Sequence, residues 1–325
     1  MKYIKSSYKF IITLIIILII FSIRFPYYID APGGISDMQK KLNIKSNSKG
    51  TFNIVFVKEY KATIPTLLYA LINKDWDIIK QKEVLLENES NKDYDIRDKY
   101  FMKESISNAT LVAYKKAKKE IKIKNTEHIV IYKDSISDTD IKIGDIILEI
   151  NDIKIKTKND ISNIIEKHDI NDKLKIKVIN KDKEYTRYAY IKEIEKEKKL
   201  GILLSTINTY KLNPDIRVKM KNNESGSSGG LITALSIYDN LIEKDITKGL
   251  KIVGTGTIDI DGNIGSIGGV EYKLKSAVHN KADLFIAPMG ENYEDAIKLK
   301  NEKKNDIKIL GVSTFDEVID YLENR

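Results

Sequence analysis

The chain has 325 residues, 42% hydrophobic and 31% charged, a balance that supports a folded core and excludes a disordered chain. It contains no cysteine and only three histidines (His128, His168 and His279), which removes disulfide frameworks, thiolate catalysis and Cys-ligated zinc and leaves little for a Ser-His-Asp triad. The net charge is +8, yet acidic residues are mixed among the basic ones and no basic run is interleaved with aromatics, so nucleic acid is not an expected partner.

Lys2, Lys5 and Lys9 precede an abruptly apolar run, Phe10–Ile23, interrupted only by Thr13 and Ser22. Carried on through Arg24 to Ile29, the segment 10–29 reaches about 20 residues, the length that spans a bilayer core; Arg24 can snorkel, and Tyr27 and Tyr28 suit the interface. Residues 24–29 lack the small side chains of a signal-peptide cleavage site, which favours an uncleaved transmembrane anchor. The lysine bias predicts a cytoplasmic N-terminus, residues 1–9, and a single-pass protein of the cell membrane whose remaining residues are extracellular.

Ala31-Pro-Gly-Gly34 reads as a turn cluster, Thr51–Val57 as a strand, and Pro65 to Ile72 as the start of a helix. Residues 84–100 are charged and weakly patterned, a loop and a solvated helix; Met102 to Ile121 reads as a helix with Ile106, Ala109, Ala113 and Ala117 near one face. Residues 126–195 form a separate β-rich module. In it, Ile129–Tyr132 is a strand, Gly144-Asp145 turns into the alternating strand Ile146–Ile150, Asn159 or Asp160 caps a helix carrying Ile161, Ile164 and Ile165, and Leu174, Ile176 and Val178 mark a further strand.

The last third carries the chemistry. A strand-like run, Ile216–Met220, leads into Glu224-Ser-Gly-Ser-Ser-Gly-Gly230, and an apolar stripe (Leu231, Leu235, Tyr238) follows without a gap. That pattern makes the Gly/Ser stretch a strand-to-helix junction, with Ser228 at the helix entrance, where backbone N–H groups and the helix dipole can face an oxyanion. Gly226 and Gly229 leave room for a substrate backbone. A candidate for the base such a serine needs is Lys273, in Gly268-Gly-Val-Glu-Tyr-Lys273: a lysine on the edge of a helix's apolar stripe (Val270, Leu274, Ala277) can be desolvated, and a desolvated amine is neutral more of the time. Upstream, Gly254–Gly265 reads as a hairpin turning at Asp261-Gly262.

Together these motifs resemble the Lon-type peptidases. Ser227-Ser-Gly-Gly230 stands where that family has Pro-Ser-Ala-Gly, whose serine is the nucleophile, and Gly268–Lys273 matches its Gly-Gly-hydrophobe-x-x-Lys, whose lysine is the partner. Gly254-Thr-Gly256 matches the strand whose threonine hydrogen-bonds the lysine, and Met102-Lys-Glu-Ser105 resembles the helix before the catalytic strands. The departures are Ser227 for proline and Gly229 for alanine, so two adjacent serines compete and the alignment on Gly230 selects Ser228. The string Ile141–Ile155 is similar to the PDZ domain, although no peptide-gripping glycine loop is visible between Thr126 and Lys133.

The whole chain thus resembles the membrane-anchored, PDZ-containing Lon-like proteases of bacteria. The resemblance implies an α+β fold in which a peptidase domain (residues 50–125 and 196–325) is interrupted by a PDZ-like module (126–195). It also implies an ATP-independent serine endopeptidase with catalytic Ser228 and Lys273, supported by Thr255, Ser227, Gly226 and Gly229. No cofactor or metal is expected. Partners would be envelope or membrane protein substrates, the membrane itself and, as Lon-type rings suggest, further copies in a homo-oligomer. The alternative is an impaired Lon-like/PDZ adaptor that binds envelope proteins without cleaving them. Asp259-x-Asp261-Gly-Asn263 fails as a calcium loop because its glycine comes early and no Glu closes it, and no Gly-x-x-x-x-Gly-Lys-Ser/Thr phosphate loop is present.

Overall fold

The computed structural model describes residues 2–242 and 244–325, with side chains from Tyr8 onward. Met1 and the side chains of residues 2–7, within the expected cytoplasmic N-terminus, lie outside the described residues. Helix α1 spans Lys2–Ser22, and Phe10 to Phe21 are exposed along it. The expected transmembrane anchor 10–29 is not supported: α1 ends at Ser22, Pro26 disfavours helix at Phe25, and Tyr27 already belongs to strand β1 (Tyr27–Asp37). Among the described residues no helix is long and apolar enough to cross a membrane.

Ala31-Pro-Gly-Gly34, expected as a turn, lies inside β1, where the register against β2 (Thr51–Lys61) shifts between Pro32 and Gly34. A Cβ on Gly33 would come within 2.3 Å of the Phe56 carbonyl, which is why the strand carries glycine there. Helix α2 (Ile64–Ile72) starts on a reciprocal Thr63–Thr66 capping box with Pro65 in its first turn, and β3 (Asp77–Lys80) pairs with β1.

Helix α3 runs from Asn91 to Lys116, eleven residues ahead of the expected start at Met102. The Ser90 hydroxyl accepts the Asp93 N–H as its cap, and the solvated charges that hid the periodicity lie on its outer face.

The second sheet follows. Strand β4 (Glu120–Lys133), β5 (Ile146–Ile150), β6 (Lys173–Asn180), β7 (Lys183–Tyr190) and β8 (Ile202–Asn213) form an antiparallel sheet in the order β8-β4-β5-β6-β7, with helix α4 (Lys158–Glu166) packed on it. Its core is Val130, Ile147, Ile161, Ile164, Ile165, Leu174, Ile176 and Leu200, so the alternating isoleucines pack on one face. Thr157, with Asp160 in a capping box, caps α4 in place of the expected Asn159 or Asp160. The β4–β8 pairing runs from Glu120 to Asn213, wider than the expected module.

The chain then returns to the first sheet through α5 (Gly230–Leu241), β9 (Lys251–Gly254), α6 (Val270–His279), β10 (Leu284–Pro288), α7 (Glu291–Lys303), β11 (Lys308–Val312) and α8 (Phe315–Asn324). Strand order is β11-β10-β9-β2-β1-β3, with the first four parallel and β1 and β3 antiparallel. Phe52, Ile54, Ile252, Leu284 and Ile286 pack against α3, α5 and α8 on one face. Val55, Val253, Phe285 and Ala287 point the other way, against α6 and α7. Helices on both faces of parallel strands give a mixed α/β fold, correcting the α+β expectation. Ile216–Met220 is not a strand: its backbone pairing is an isolated bridge between Val218 and Leu42, and the Tyr114 hydroxyl and Asn43 Oδ1 accept the Ile216 and Arg217 N–H groups. Asp261-Gly262 is likewise not a two-residue turn, because Ile258 pairs with Ile264 and five residues loop between them around the Asp259 carboxylate.

Candidate active site

Strand β9 ends at Gly254, and Thr255 and Gly256 follow at the C-terminal edge of the parallel strands, where open α/β sheets place their sites. Both reach the serine loop: the Gly256 N–H and the Thr255 hydroxyl donate to the Ser228 carbonyl at 2.8 and 3.2 Å. α6 brings Lys273 to the same place. Gly269 precedes that helix with φ +66°, and a Cβ there would press on Val57 and Tyr272, so the second glycine of the motif is sterically required. One turn on, the Lys273 side chain enters the sheet–helix core and is 4% exposed. Its Nζ donates to Thr255 Oγ1 at 3.1 Å. Burial disfavours the ammonium form and brings this amine down to about 8.

The serine loop is braced from α3. The buried Ser105 hydroxyl donates to the Ser227 carbonyl at 2.8 Å, and the Gly226 N–H donates to the Asp98 carbonyl at 3.1 Å. Gly226 has φ +87°, which a side chain would strain. Gly229 is the residue that departs from the family pattern, and Ile54 explains it: a Cβ there would lie 2.8 Å from Ile54 Cδ1. Next door, a Cβ on Gly230 would lie 2.5 Å from Ser105 Oγ. The N–H groups of Ser228 and Gly229, at the mouth of helix α5, whose residues other than Asn240 are buried, donate to no protein acceptor among the described residues.

A cleft of about 590 Å³ opens in front of this loop. Ser225, Gly226, Ser228 and Gly229 line it, and Ser227 does not, which separates the two adjacent serines. Thr255 and Lys273 sit behind the loop, outside the cleft wall. Among the described residues no hydrogen bond joins the Ser228 hydroxyl to Lys273; the connection runs through Thr255. Glu224 spans the cleft's edge to the buried Lys41 at 2.5 Å. Sequence reading missed the far wall, Glu59, Tyr94, Asp95 and Asp98, because residues 84–100 looked like solvated surface. Desolvation raises the Asp98 carboxyl above its ordinary value.

A second cavity, about 960 Å³, lies between α4 and the start of β8, lined among others by Ile161, Ile165, Leu200, Gly201, Ile202 and Leu204. The glycine sought between Thr126 and Lys133 is absent because that segment is continuous strand. Gly201, with φ +66°, stands instead at the entrance of β8, an edge strand. Leu86 and Tyr132 also line this cavity, and the Tyr132 hydroxyl donates to the Glu87 carbonyl at 2.9 Å, so the segment before α3 borders the groove.

Two stretches of the chain match known families. Residues 183–324 match the Lon protease (S16) C-terminal proteolytic domain, and residues 110–187 match the PDZ domain. The chain is 32% identical over 99 residues to Lon protease 2 of Borreliella burgdorferi, 34% over 95 residues to the Lon protease of Aster yellows witches'-broom phytoplasma, and 31% over 100 residues to that of Campylobacter jejuni. These matches take in 29–30% of this chain and 12% of each relative. Residues 183–324 are thus similar to a Lon protease proteolytic domain and residues 110–187 to a PDZ domain.

Proposed function

We propose that the protein is an ATP-independent serine endopeptidase in which Ser228 is the nucleophile and Lys273 the base. The observation that carries this reading is a lysine amine, buried and brought down to about 8, tied through Thr255 to the one serine of the pair that opens on the cleft. Neutral Lys273 takes the Ser228 proton as Oγ attacks the peptide carbonyl, and the free N–H groups at the mouth of α5 hold the oxyanion. The protonated amine then gives its proton to the leaving nitrogen, and water attacks the acyl-serine with Lys273 again as base. Thr255 holds the amine in position throughout.

Polypeptide substrates dock along the free edge of β8 at Ile202–Leu204, by strand addition beside α4. The exposed apolar surface of α1 attaches the protein to a membrane, with the peptidase on the extracellular side and envelope proteins as substrates.

The test is cleavage of an unfolded protein by the full chain, with and without ATP. Ser228→Ala and Lys273→Ala are each expected to abolish it and Ser227→Ala to retain most of it; undiminished cleavage by either of the first two overturns the assignment. The missing hydrogen bond between Ser228 and Lys273 favours one rival, an adaptor that binds without cleaving. Capture of intact partners, with no labelling of Ser228 by a phosphonate probe, would establish it.

A further inference from the structure

α2 shows water an apolar surface that a soluble domain does not leave bare. Leu68, Tyr69, Leu71 and Ile72 are 60%, 48%, 75% and 80% exposed, and Ala70 alone is buried. The helix is not a frayed end, since its capping box and Pro65 fix its first turn. Its inner side rests on a small separate core, Ile29, Ala62 and Ala70, ringed by Phe25, Tyr27, Tyr60, Leu67 and Trp76. α2 touches α1, whose exposed side chains from Phe10 to Phe21 are apolar except Thr13, so the two bare surfaces are continuous.

The rim of this surface is aromatic and cationic. Trp76 stacks on Tyr60 at 5.5 Å and meets the edge of Tyr69 at 4.6 Å. Arg24, Lys74 and Lys80 are exposed around it, and Arg24 donates to the Lys61 carbonyl. Of the acids of the adjoining turn, Asp75 pairs with Lys275 at 2.9 Å, and Asp77 keeps its charge but is held by the Tyr272 hydroxyl. Apolar side chains bounded by amphipathic rings and free cations match the layers of a bilayer surface, acyl chains below and anionic headgroups above.

The geometry points to α2 as an interfacial helix that lies in the surface of an anionic lipid bilayer beside α1. This extends the membrane attachment proposed above and is independent of the peptidase chemistry. Lipid fits better than a second copy of the chain because the surface continues onto α1 and three exposed cations, Arg24, Lys74 and Lys80, stand at its rim against the single acid Asp77. Strand β2 leads directly into α2 and its residues 54–57 line the cleft, so such a seat brings the cleft close to the membrane.

Trp76 is the chain's only tryptophan and reports the seat directly. The full chain is mixed with phosphatidylcholine–phosphatidylglycerol vesicles whose acyl chains carry bromine, and flotation and Trp76 emission are followed together. The wild-type chain is expected to float with the vesicles and to have its emission quenched. The Leu71→Asp/Ile72→Asp variant is expected to float through α1 and to lose the quenching. A wild-type chain that fails to float, or floats unquenched, overturns the proposal, as does equal quenching of the variant. So does a Trp76 shift that follows protein concentration without lipid, which would assign the surface to a second copy. None of these outcomes depends on Ser228 or Lys273.

Discussion

At the site, one residue's charge state sets the pH dependence. Lys273 ordinarily titrates at 10.5 and here at about 8, because burial penalises the ammonium. In the proposed mechanism the neutral amine is the working form, so kcat/KM for peptide cleavage should rise with pH up to about 8 and level off above it; a pH–rate profile checks this, and a rate already flat from pH 6 would contradict it. The stability consequence has a definite sign. Between about 8 and 10.5 the unfolded chain holds this proton and the folded chain does not, so stability gains with rising pH across that window and is lowest below it. A depression of this size corresponds to ~3 kcal/mol at neutral pH. Lys273→Met should therefore melt at higher temperature than the wild type while losing activity. Gly229 provides a second residue-scale test. Gly229→Ala restores the family's side chain but meets Ile54 Cδ1, for an expected loss of about 1–3 kcal/mol; adding Ile54→Val, which removes that methyl, should recover most of it in thermal melts.

Among the elements, α3 links the two parts of the molecule. Its Glu104 carboxylate accepts from Ser205 Oγ at 2.9 Å and from the Thr206 N–H at 3.1 Å on β8 of the second sheet, while Ser105 and Asn108 hold the serine loop and the Ile258 carbonyl on the other side. Its first turns are anchored by Arg97, which grips Glu89 at 2.6 and 2.9 Å where the Glu89 side chain is fully buried. Arg97→Ala leaves that carboxylate without its partner and should destabilise the protein by about 3–5 kcal/mol, measured by denaturant unfolding; a change under 1 kcal/mol would mean the pair is not closed in solution. The sequence hid this half of α3 because its contacts are polar and long-range, so no apolar period marks it. Ile216–Met220 shows the converse error: its alternation is right for a strand, yet no sheet edge is within reach except Leu42.

On the scale of the whole molecule, the two cavities are served by separate sheets, and the groove beside α4 should matter only for substrates long enough to occupy it. Ile165→Asp, on the groove face of α4, should raise KM for an unfolded protein and leave cleavage of a short peptide almost unchanged; equal losses for both would mean that the groove does not dock substrate. The PDZ-like inserted module was legible from Ile141–Ile155 and the alternating isoleucines, but its groove was not, because Gly201 joins the module only through the long β4–β8 pairing. The N-terminal segment shows the same limit, since its apolar run is plain in the sequence while its end is set by Pro26 and by β1 pairing with β2.

By itself the sequence determined the chemical vocabulary: the paired Ser and Lys motifs, the glycines that precede them, the absence of thiols, and the apolar periods of the core. These are local properties, carried by neighbouring residues and by a repeat of two or about 3.6. Only the tertiary structure decided that Ser228 and not Ser227 faces the cleft, that Ile54 takes the place of a Gly229 side chain, and that water is kept from Lys273. Each of those depends on atoms brought together from distant parts of the chain, where packing and desolvation act and spacing in the sequence does not.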